Sequence, residues 1–309
     1  MNLETDTPET GTYVRTTAID DLVTRFLATD DEQRKQIISL GAGSDTRALR
    51  LLSNNSNRPV YHELDFSVNT TSKIRTIRAT PLLQKALGLG ENNVTISEMA
   101  DALHSPWYHI HPVDLRSLPK RHDQEEEDGK SKTARDILEE TVDPTLPTLL
   151  ISECCLVYLS PTEADAVVHY FTNTLFPRRH NVTAPLGLIL YEPIRPDDAF
   201  GRVMVSNLAT RGIHLQTLHR YASLEAQRKR LKEQGFDRGQ DAVHVDFIWE
   251  RWVSEGEKER IAGLEMLDEM EEWRLLARHY CVAWGWRDGE GSVGRGFDKW
   301  TSVAGQQGD

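Results

Sequence analysis

The chain has 309 residues, which suffices for one large α/β domain. Lys and Arg number 36 against 48 Asp and Glu, and the net charge of −12 disfavours binding to nucleic acid or to anionic membranes. Three cysteines, two of them adjacent, form neither a disulfide framework nor a metal-ligand spacing. We therefore expect reduced thiols and no metal site. Since the N-terminal residues lack an apolar signal-peptide core, we also expect a cytoplasmic location.

The N-terminal part is predicted to contain one helix after a disordered tail. Residues 1–11 are polar, which predicts the disordered tail. Apolar residues at helical spacing then predict a helix over Tyr13–Leu27. Arg15 stands near the start of this helix, where its spacing alone indicates only a solvated side chain.

The segment at residues 36–52, QIISLGAGSDTRALRLL, is the most informative in the chain. Its apolar start predicts a buried parallel strand, the Gly-Ala-Gly stretch at 41–43 predicts a sharp turn, and a helix capped by Ser44 or Asp45 follows. Strand, glycine turn and helix open a nucleotide-binding βαβ unit. Thr46 stands where the dinucleotide fingerprint has its third glycine, and Asp45 would repel a pyrophosphate. The turn therefore favours a neutral or cationic ligand.

Two further strand candidates end in carboxylates. Val60–Asp65 is an apolar strand whose last residue lies where a carboxylate would accept ribose hydroxyls. With the glycine turn, this favours a site for an adenosyl ligand. Trp107–Val113 is a third strand candidate, followed by Asp114. Asp114 either accepts the exocyclic amine of adenine or caps the next turn, and both readings stay open.

A charged insertion precedes the fourth strand. Residues 119–143 are charged and predict a solvated loop. Leu149–Ser152 is predicted to be a buried strand ending in Glu153, and a capping box at Ser160 predicts the next helix. The loop between them lies at the carboxyl edge of the sheet, where open α/β folds bind ligands. Glu153 and Tyr158 are therefore functional candidates.

Patterning in the C-terminal half completes the predicted sheet. Leu186–Tyr191 reads as a fifth strand and Arg278–Trp286 as the last. The basic residues of the helix predicted over Ala222–Gln234 indicate a solvated face. Residues 288–309 are glycine-rich and polar, which predicts a disordered tail. Three helices are predicted between the strands: Asp197–Ala209, Ala222–Gln234 and Ile261–Leu276.

Several segments together carry a family resemblance: LGAGSDTR, ELDF, VDLRSL, PTLLISECCLVYLSP, YEPIRPDDAFGRVM and GLEMLDEMEEWRLLARHYCVAWGW. Over Gly11–Trp286 the chain resembles leucine carboxyl methyltransferase, the family that methylates protein phosphatase 2A. The resemblance implies the α/β class I S-adenosylmethionine-dependent methyltransferase fold. This fold has a mostly parallel sheet with an antiparallel last strand and helices on both faces. The domain would span residues 12–287.

The resemblance also implies an activity and its partners. Family enzymes esterify the α-carboxylate of the C-terminal leucine of the phosphatase catalytic subunit, so the cofactor would be S-adenosylmethionine and the partner that subunit's tail. We expect a monomer. A leucine α-carboxylate is ionised at neutral pH and needs no base, so Tyr158 is the one catalytic candidate. The residues that match the family's cofactor contacts are Arg15, Gly41, Asp65, Asp114, Leu115 and Glu153.

One departure from the family keeps alternatives open. Family members carry several dozen residues before the GTYVRT helix, including a lysine on the cofactor carboxylate, whereas this chain starts almost at that helix. We therefore expect weaker cofactor binding and slow turnover, and one alternative is a phosphatase-binding module with impaired catalysis. A tRNA wybutosine-type carboxyl methyltransferase is another, although it would need a basic face and a propeller extension. A nicotinamide oxidoreductase is the third, disfavoured by Thr46.

Overall fold

The computed structural model places most of the chain around one large sheet. The residues it describes are 9–30, 33–53, 58–89, 93–120, 132–178, 183–263, 270–289 and 295–308. Most of the predicted tail at 1–11 therefore lies outside the described residues, and so does the acidic run at 124–128 within the predicted insertion.

The sheet has nine strands among the described residues, with parallel strands at its centre and antiparallel strands at its edges. Their order is β3-β4-β5-β2-β1-β6-β7-β9-β8. Strands β5, β2, β1, β6 and β7 are parallel, whereas β9 is antiparallel to β7 and β8 is antiparallel to β9. The strands are β1 (Gln36–Leu40), β2 (Val60–Asp65), β3 (Thr95–Ile96), β4 (Leu103–His104), β5 (Tyr108–Pro112), β6 (Thr148–Glu153), β7 (Leu186–Pro193), β8 (Gly239–His244) and β9 (Tyr280–Arg287).

Helices cover both faces of the sheet. Neighbouring residues of a buried strand point to opposite faces, and Ile37 and Ile38 belong to two separate apolar clusters. Leu22 packs in the first cluster and Val167 in the second. The helices are α1 (Glu9–Leu27), α2 (Arg47–Leu52), α3 (Ser67–Ala79), α4 (Pro81–Ala86), α5 (Ala134–Thr141), α6 (Pro161–His169), α7 (Ala199–Thr210), α8 (Leu224–Glu233), α9 (Val245–Arg251), α10 (Glu255–Ala262) and α11 (Met270–Ala277).

This architecture confirms the predicted class I methyltransferase fold, with its mostly parallel sheet, its antiparallel last strand and its two helical layers. Sequence reasoning missed β8, because Gly239–His244 is an edge strand and only its second half is buried. Where the chain is described, no helix combines the length and the apolar character that crossing a membrane requires.

Two loop and helix predictions were wrong in detail. The second half of the predicted insertion forms α5, which begins with a capping box between Thr133 and Asp136. Charge alone suggested a loop, but Leu138 is buried and anchors the helix. The single helix predicted over Ile261–Leu276 is described as the end of α10 and the whole of α11, with 264–269 outside the described residues.

The prediction that the basic residues of the helix over Ala222–Gln234 are solvated was wrong for Arg230. Arg230 is 1% exposed, and its Nη1 donates to Glu192 Oε2 at 2.8 Å. Its guanidinium carbon also lies 4.1 Å from the centre of the Tyr221 ring. The buried charge is tolerated because its carboxylate partner, 38 residues earlier in sequence, is buried beside it.

The predicted disordered tail over 288–309 is also corrected, because residues 295–308 pack against the domain. Phe297 is fully buried, and its ring stacks on Phe26 with 4.8 Å between centres. Trp300 is 1% exposed and donates from Nε1 to the Leu22 carbonyl at 2.8 Å. A Cβ on Gly187 of β7 would approach the Phe297 ring to 2.4 Å, so this glycine makes room for it. Two aromatic side chains thus outweigh a polar, glycine-rich composition.

We expect Phe297→Ala to lower the free energy of unfolding by about 3–5 kcal/mol, because the cavity would lie between β7 and α1. Lys299→Ala, at an exposed position two residues along, should change it by less than about 0.5 kcal/mol. Urea denaturation followed by tryptophan fluorescence measures both variants. Equal, small effects would mean that the segment does not pack on the domain.

Candidate active site

The glycine turn after β1 has a backbone that only glycine adopts readily. Gly41 and Gly43 have φ values of +64° and +46°. The amides of Gly41 and Ala42 donate to the Leu64 carbonyl at 2.8 and 3.2 Å, which ties the turn to β2. A Cβ on Gly41 would lie 2.6 Å from Cys155 Sγ, so the thiol closes one side of the turn.

The prediction that Ser44 or Asp45 is the N-cap of α2 was wrong by one or two residues. Thr46 is the N-cap and makes no side-chain cap hydrogen bond. Asp45 instead accepts from the Arg47 amide at 2.8 Å. Of the two residues predicted to cap the helix, Asp45 thus serves its first turn.

Asp65 holds the other side of the turn. Its Oδ2 accepts from the Gly43 amide at 2.7 Å. Its Oδ1 accepts from the Phe66 amide at 2.7 Å and from Asn69 Nδ2 at 2.8 Å. The carboxylate is partly exposed, so its oxygens keep acceptor capacity for a ligand at the end of β2.

Strand register brings three of the predicted site residues together. Leu40 of β1 pairs with Leu64 of β2 and with Ser152 of β6. Because the three strands are parallel, the residues that follow lie level at one edge of the sheet: Gly41, Asp65 and Glu153.

A cluster of ion pairs extends this edge to α1. Arg15 Nε lies 2.7 Å from Glu153 Oε1. Arg47 Nη2 lies 3.6 Å from Glu153 Oε2, and Arg47 Nε donates to Asp20 Oδ1 at 2.7 Å. The Arg47 side chain is 3% exposed and also pairs with Asp45. Burial disfavours its charge, but Tyr61 and the carboxylates of Asp45 and Asp20 together outweigh burial and raise the Arg47 pKa above its usual range.

Sequence reasoning missed Arg47. The available signal was a charged residue among the apolar residues of a short helix, directly after the glycine turn. Such a residue is buried only with partners, and these come from α1, the turn and β6.

Arg15, Gly41 and Glu153 line one polar cleft of about 410 Å³, within the range of small-molecule sites. Arg15 also lines a second, smaller pocket of about 130 Å³. That pocket is mostly apolar, and its other walls include Cys154, Tyr191, Val245, Trp273, Leu276 and Tyr280. Arg15 therefore stands where a polar cleft meets an apolar pocket.

Asp114 and Leu115 lie next along the same edge but do not line this cleft. Pro112 of β5 pairs with Asp65, and Asp114 follows two residues later. The Asp114 carboxylate caps the next turn through the Arg116 amide at 3.0 Å, as one of its two readings predicted. Hydrogen bonds from the Arg116 side chain lower the Asp114 pKa. The Leu115 side chain is buried, so its backbone is the part near the edge.

Tyr158 lies on the loop after β6, with 43% of its surface exposed. Its carbonyl accepts from Gln216 Nε2 at 2.6 Å, which fixes the loop. Partial burial, with Cys154 and Cys155 nearby, raises the Tyr158 pKa, so the phenol is neutral at pH 7 and is no base. Its role as a catalytic candidate stays a prediction.

Gly41 and Gly43 allow a matched test of the turn. Both have positive φ, so an alanine at either costs roughly 1–2 kcal/mol of backbone strain. Gly41→Ala should cost about 1–3 kcal/mol more through overpacking against Cys155, whereas a Cβ on Gly43 meets its nearest atom only at 4.0 Å.

Urea denaturation measures this difference, and Cys155→Ala provides the control. In the Cys155→Ala background the difference between the two glycine substitutions should shrink but not vanish, because the Cβ of residue 155, which alanine keeps, lies 3.0 Å from a Cβ on Gly41. If the two substitutions are already equal in the wild-type background, the thiol does not close the turn.

Comparisons with known proteins show which family the chain is similar to. The family model for leucine carboxyl methyltransferase matches residues 4–172. A relative from Aspergillus fumigatus, leucine carboxyl methyltransferase 1, is 63% identical over 97% of this chain and 77% of its own length. The homologue from Arabidopsis thaliana is 34% identical over 92% of this chain and 78% of its own. Among solved structures, a putative methyltransferase from Thermobifida fusca covers 90% of this chain and 81% of its own, with 14% identity and a TM-score of 0.49.

The matched family model covers more than half of the 309 residues, and both relatives exceed 30% identity along most of the chain. The chain therefore belongs to the leucine carboxyl methyltransferase family and is a methyltransferase.

Proposed function

We propose that this enzyme transfers the methyl group of S-adenosylmethionine to the α-carboxylate of the C-terminal leucine of a protein phosphatase 2A catalytic subunit. When bound, the cofactor would supply an electrophilic methyl group, which a carboxylate oxygen would accept while the electron pair of the carbon–sulfur bond stays on sulfur. The products are a leucine methyl ester and S-adenosylhomocysteine, and no proton is transferred. We further expect a cytoplasmic, monomeric enzyme.

The position of Arg15 is the observation that carries this proposal. Its guanidinium borders both the polar cleft over the glycine turn and the apolar pocket. A cofactor in the cleft and a leucine in the pocket would therefore meet beside Arg15. Proximity of this kind supplies most of the catalysis when the nucleophile is already ionised.

The cleft suits the two ends of S-adenosylmethionine. The methionyl group is a zwitterion, and the Arg15–Glu153 ion pair offers one group of each sign. Arg15 would bind the cofactor's carboxylate and Glu153 its ammonium. Asp65 would accept the ribose hydroxyls, and Asp114 with the Leu115 backbone would contact adenine.

The apolar pocket suits a leucine side chain. Tyr191, Trp273 and Tyr280 present aromatic surface, and a volume of about 130 Å³ is on the scale of one branched aliphatic side chain. Tyr191 and Tyr280 stack with 5.4 Å between ring centres, which gives the pocket a rigid wall.

The thiols beside the pocket do not compete for the methyl group. Burial raises the pKa of Cys154 and of Cys155 to about 12, so both are neutral at pH 7. Only a thiolate is a strong nucleophile. An incoming leucine α-carboxylate, with a pKa of about 3.3–3.7 in water, would by contrast be ionised at pH 7 and could accept the methyl group.

Asp65→Ala should weaken binding of S-adenosylmethionine by about 1–3 kcal/mol, the range for losing hydrogen bonds to a charged group. Asp21→Ala removes an equal charge from the outer side of α1 and should leave affinity unchanged. Titration calorimetry compares the two, with NADH as a ligand that should not bind. Equal affinities in both variants would remove Asp65 from the cofactor site.

Methyl transfer should require a free C-terminal leucine carboxylate. Intact phosphatase or its tail peptide should be labelled by methyl-tritiated cofactor, with little change in rate between pH 6 and 8. The amidated peptide, and the peptide lacking its leucine, should not be labelled. Labelling of the amidated peptide at the same rate would rule out carboxyl esterification.

A further inference from the structure

Four histidines lie on one face of the sheet, and none of them lines the polar cleft or the apolar pocket. His62 is on β2, His104 on β4, and His109 and His111 on β5. His109 pairs with both His62 and His104, and His111 follows two residues later on the same strand. Alternate residues of a strand share a face, so this register gathers all four imidazoles.

The ring nitrogens lie close to the spacing that a metal ion imposes. His62 Nδ1 is 3.1 Å from His111 Nε2, and His104 Nδ1 is 3.3 Å from His109 Nδ1. One nitrogen each from His62, His109 and His111 lies within 4.8 Å of the other two. Two nitrogens bound tetrahedrally at the usual Zn–N distance are about 3.4 Å apart.

Burial and an unused nitrogen mark the centre of this cluster. His62 is fully buried and His111 is 2% exposed. Within the described chain, His62 Nε2 is buried and has no hydrogen-bond partner. Burial lowers the pKa of all four imidazoles, and His104 and Arg34 help to lower that of His109 to about 4. A buried polar nitrogen without a partner is rare and calls for an explanation.

We propose that His62, His109 and His111 form a binding site for a Zn²⁺ ion, with His104 at its outer side. Imidazole nitrogen is a ligand that zinc prefers, and three histidines with one open position form a known type of zinc site. His104 and His109 are only partly buried, so the ion would enter past them. The fourth ligand would be His104 or water.

Binding requires the rings to turn. The three central rings now lie within 18° of parallel, and His62 stacks on His109 with 4.5 Å between centres. A metal ion must lie in the plane of each ring it binds. Rotation about the Cβ–Cγ bond can aim the nitrogens inward, since this torsion is broad for histidine. The ion would then replace the hydrogen bond between His62 and His111.

Bound zinc would link β2 to β5, and also to β4 at the edge of the sheet where His104 is the fourth ligand. Because the ion would bind the folded sheet and not its separated strands, it should raise the melting temperature. This gives a readout that does not depend on methyl transfer. The zinc site can therefore be tested independently of the proposed function.

The test uses the tag-free 309-residue chain stripped of metal, titrated with Zn²⁺ by calorimetry and with Co²⁺ by visible absorption. Wild type should bind one equivalent of zinc, show the absorption of nitrogen-bound Co²⁺ and melt at a higher temperature with zinc. His109→Gln and His111→Gln should each weaken zinc binding at least about tenfold and abolish the melting shift. His214→Gln, which removes an exposed histidine, should bind as wild type does.

Circular dichroism of the metal-free variants separates loss of ligands from loss of folding. His109→Gln, at the partly exposed position, is the variant expected to keep its metal-free melting temperature. The proposal is overturned if wild type binds less than one equivalent at micromolar zinc, or if folded His109→Gln binds zinc as tightly as His214→Gln. In either case the four histidines would be a neutral packing cluster.

Discussion

The candidate active site depends on one buried guanidinium. Arg47 bonds to Asp20 on α1, to Asp45 beside the glycine turn and, more distantly, to Glu153 at the end of β6. Removing one partner of a buried charge typically lowers stability by about 3–5 kcal/mol, so the loss of one of these contacts should weaken the others. Since α1 also carries Arg15, the contacts of Arg47 with Asp20 help to set the position of Arg15 in the cleft.

The candidate ligand site forms at the edge of the sheet, beside the ion pairs of Arg47. Parallel pairing places Gly41, Asp65 and Glu153 at one level, and each has a different task. Gly41 leaves bare backbone, Asp65 holds the turn through Gly43, and Glu153 pairs with Arg15. A shift of one residue in any of these strands would move its terminal residue to the other face. The apolar runs before them therefore serve the site as well as the core.

These apolar runs explain what could be predicted from sequence. Buried strands that end at or just before Gly41, Asp65 and Glu153 are local patterns, so the βαβ opening and the edge of the site were predictable. The class I fold with its antiparallel last strand was predicted from the family resemblance. The burial of Arg230 and Phe297 was not, because it depends on Glu192, Gly187 and other residues far away in sequence. The histidine cluster was missed for the same reason: only the His-Ile-His of β5 is a local signal, and its partners lie on two other strands.

The protonation states of the site indicate that position, not activation, would control the reaction. Cys154 lines the apolar pocket, and Cys155 and Tyr158 follow it on the same loop; all three have raised pKa values and are neutral at pH 7. Neutral thiols and a neutral phenol are weak competing nucleophiles, whereas the substrate's own carboxylate would be ionised and would lie beside the Arg15–Glu153 ion pair. The energetic task of the protein is then to hold two reactants in line and exclude water. Substitutions that displace α1 or the glycine turn should consequently lower the rate even though they touch neither reacting atom.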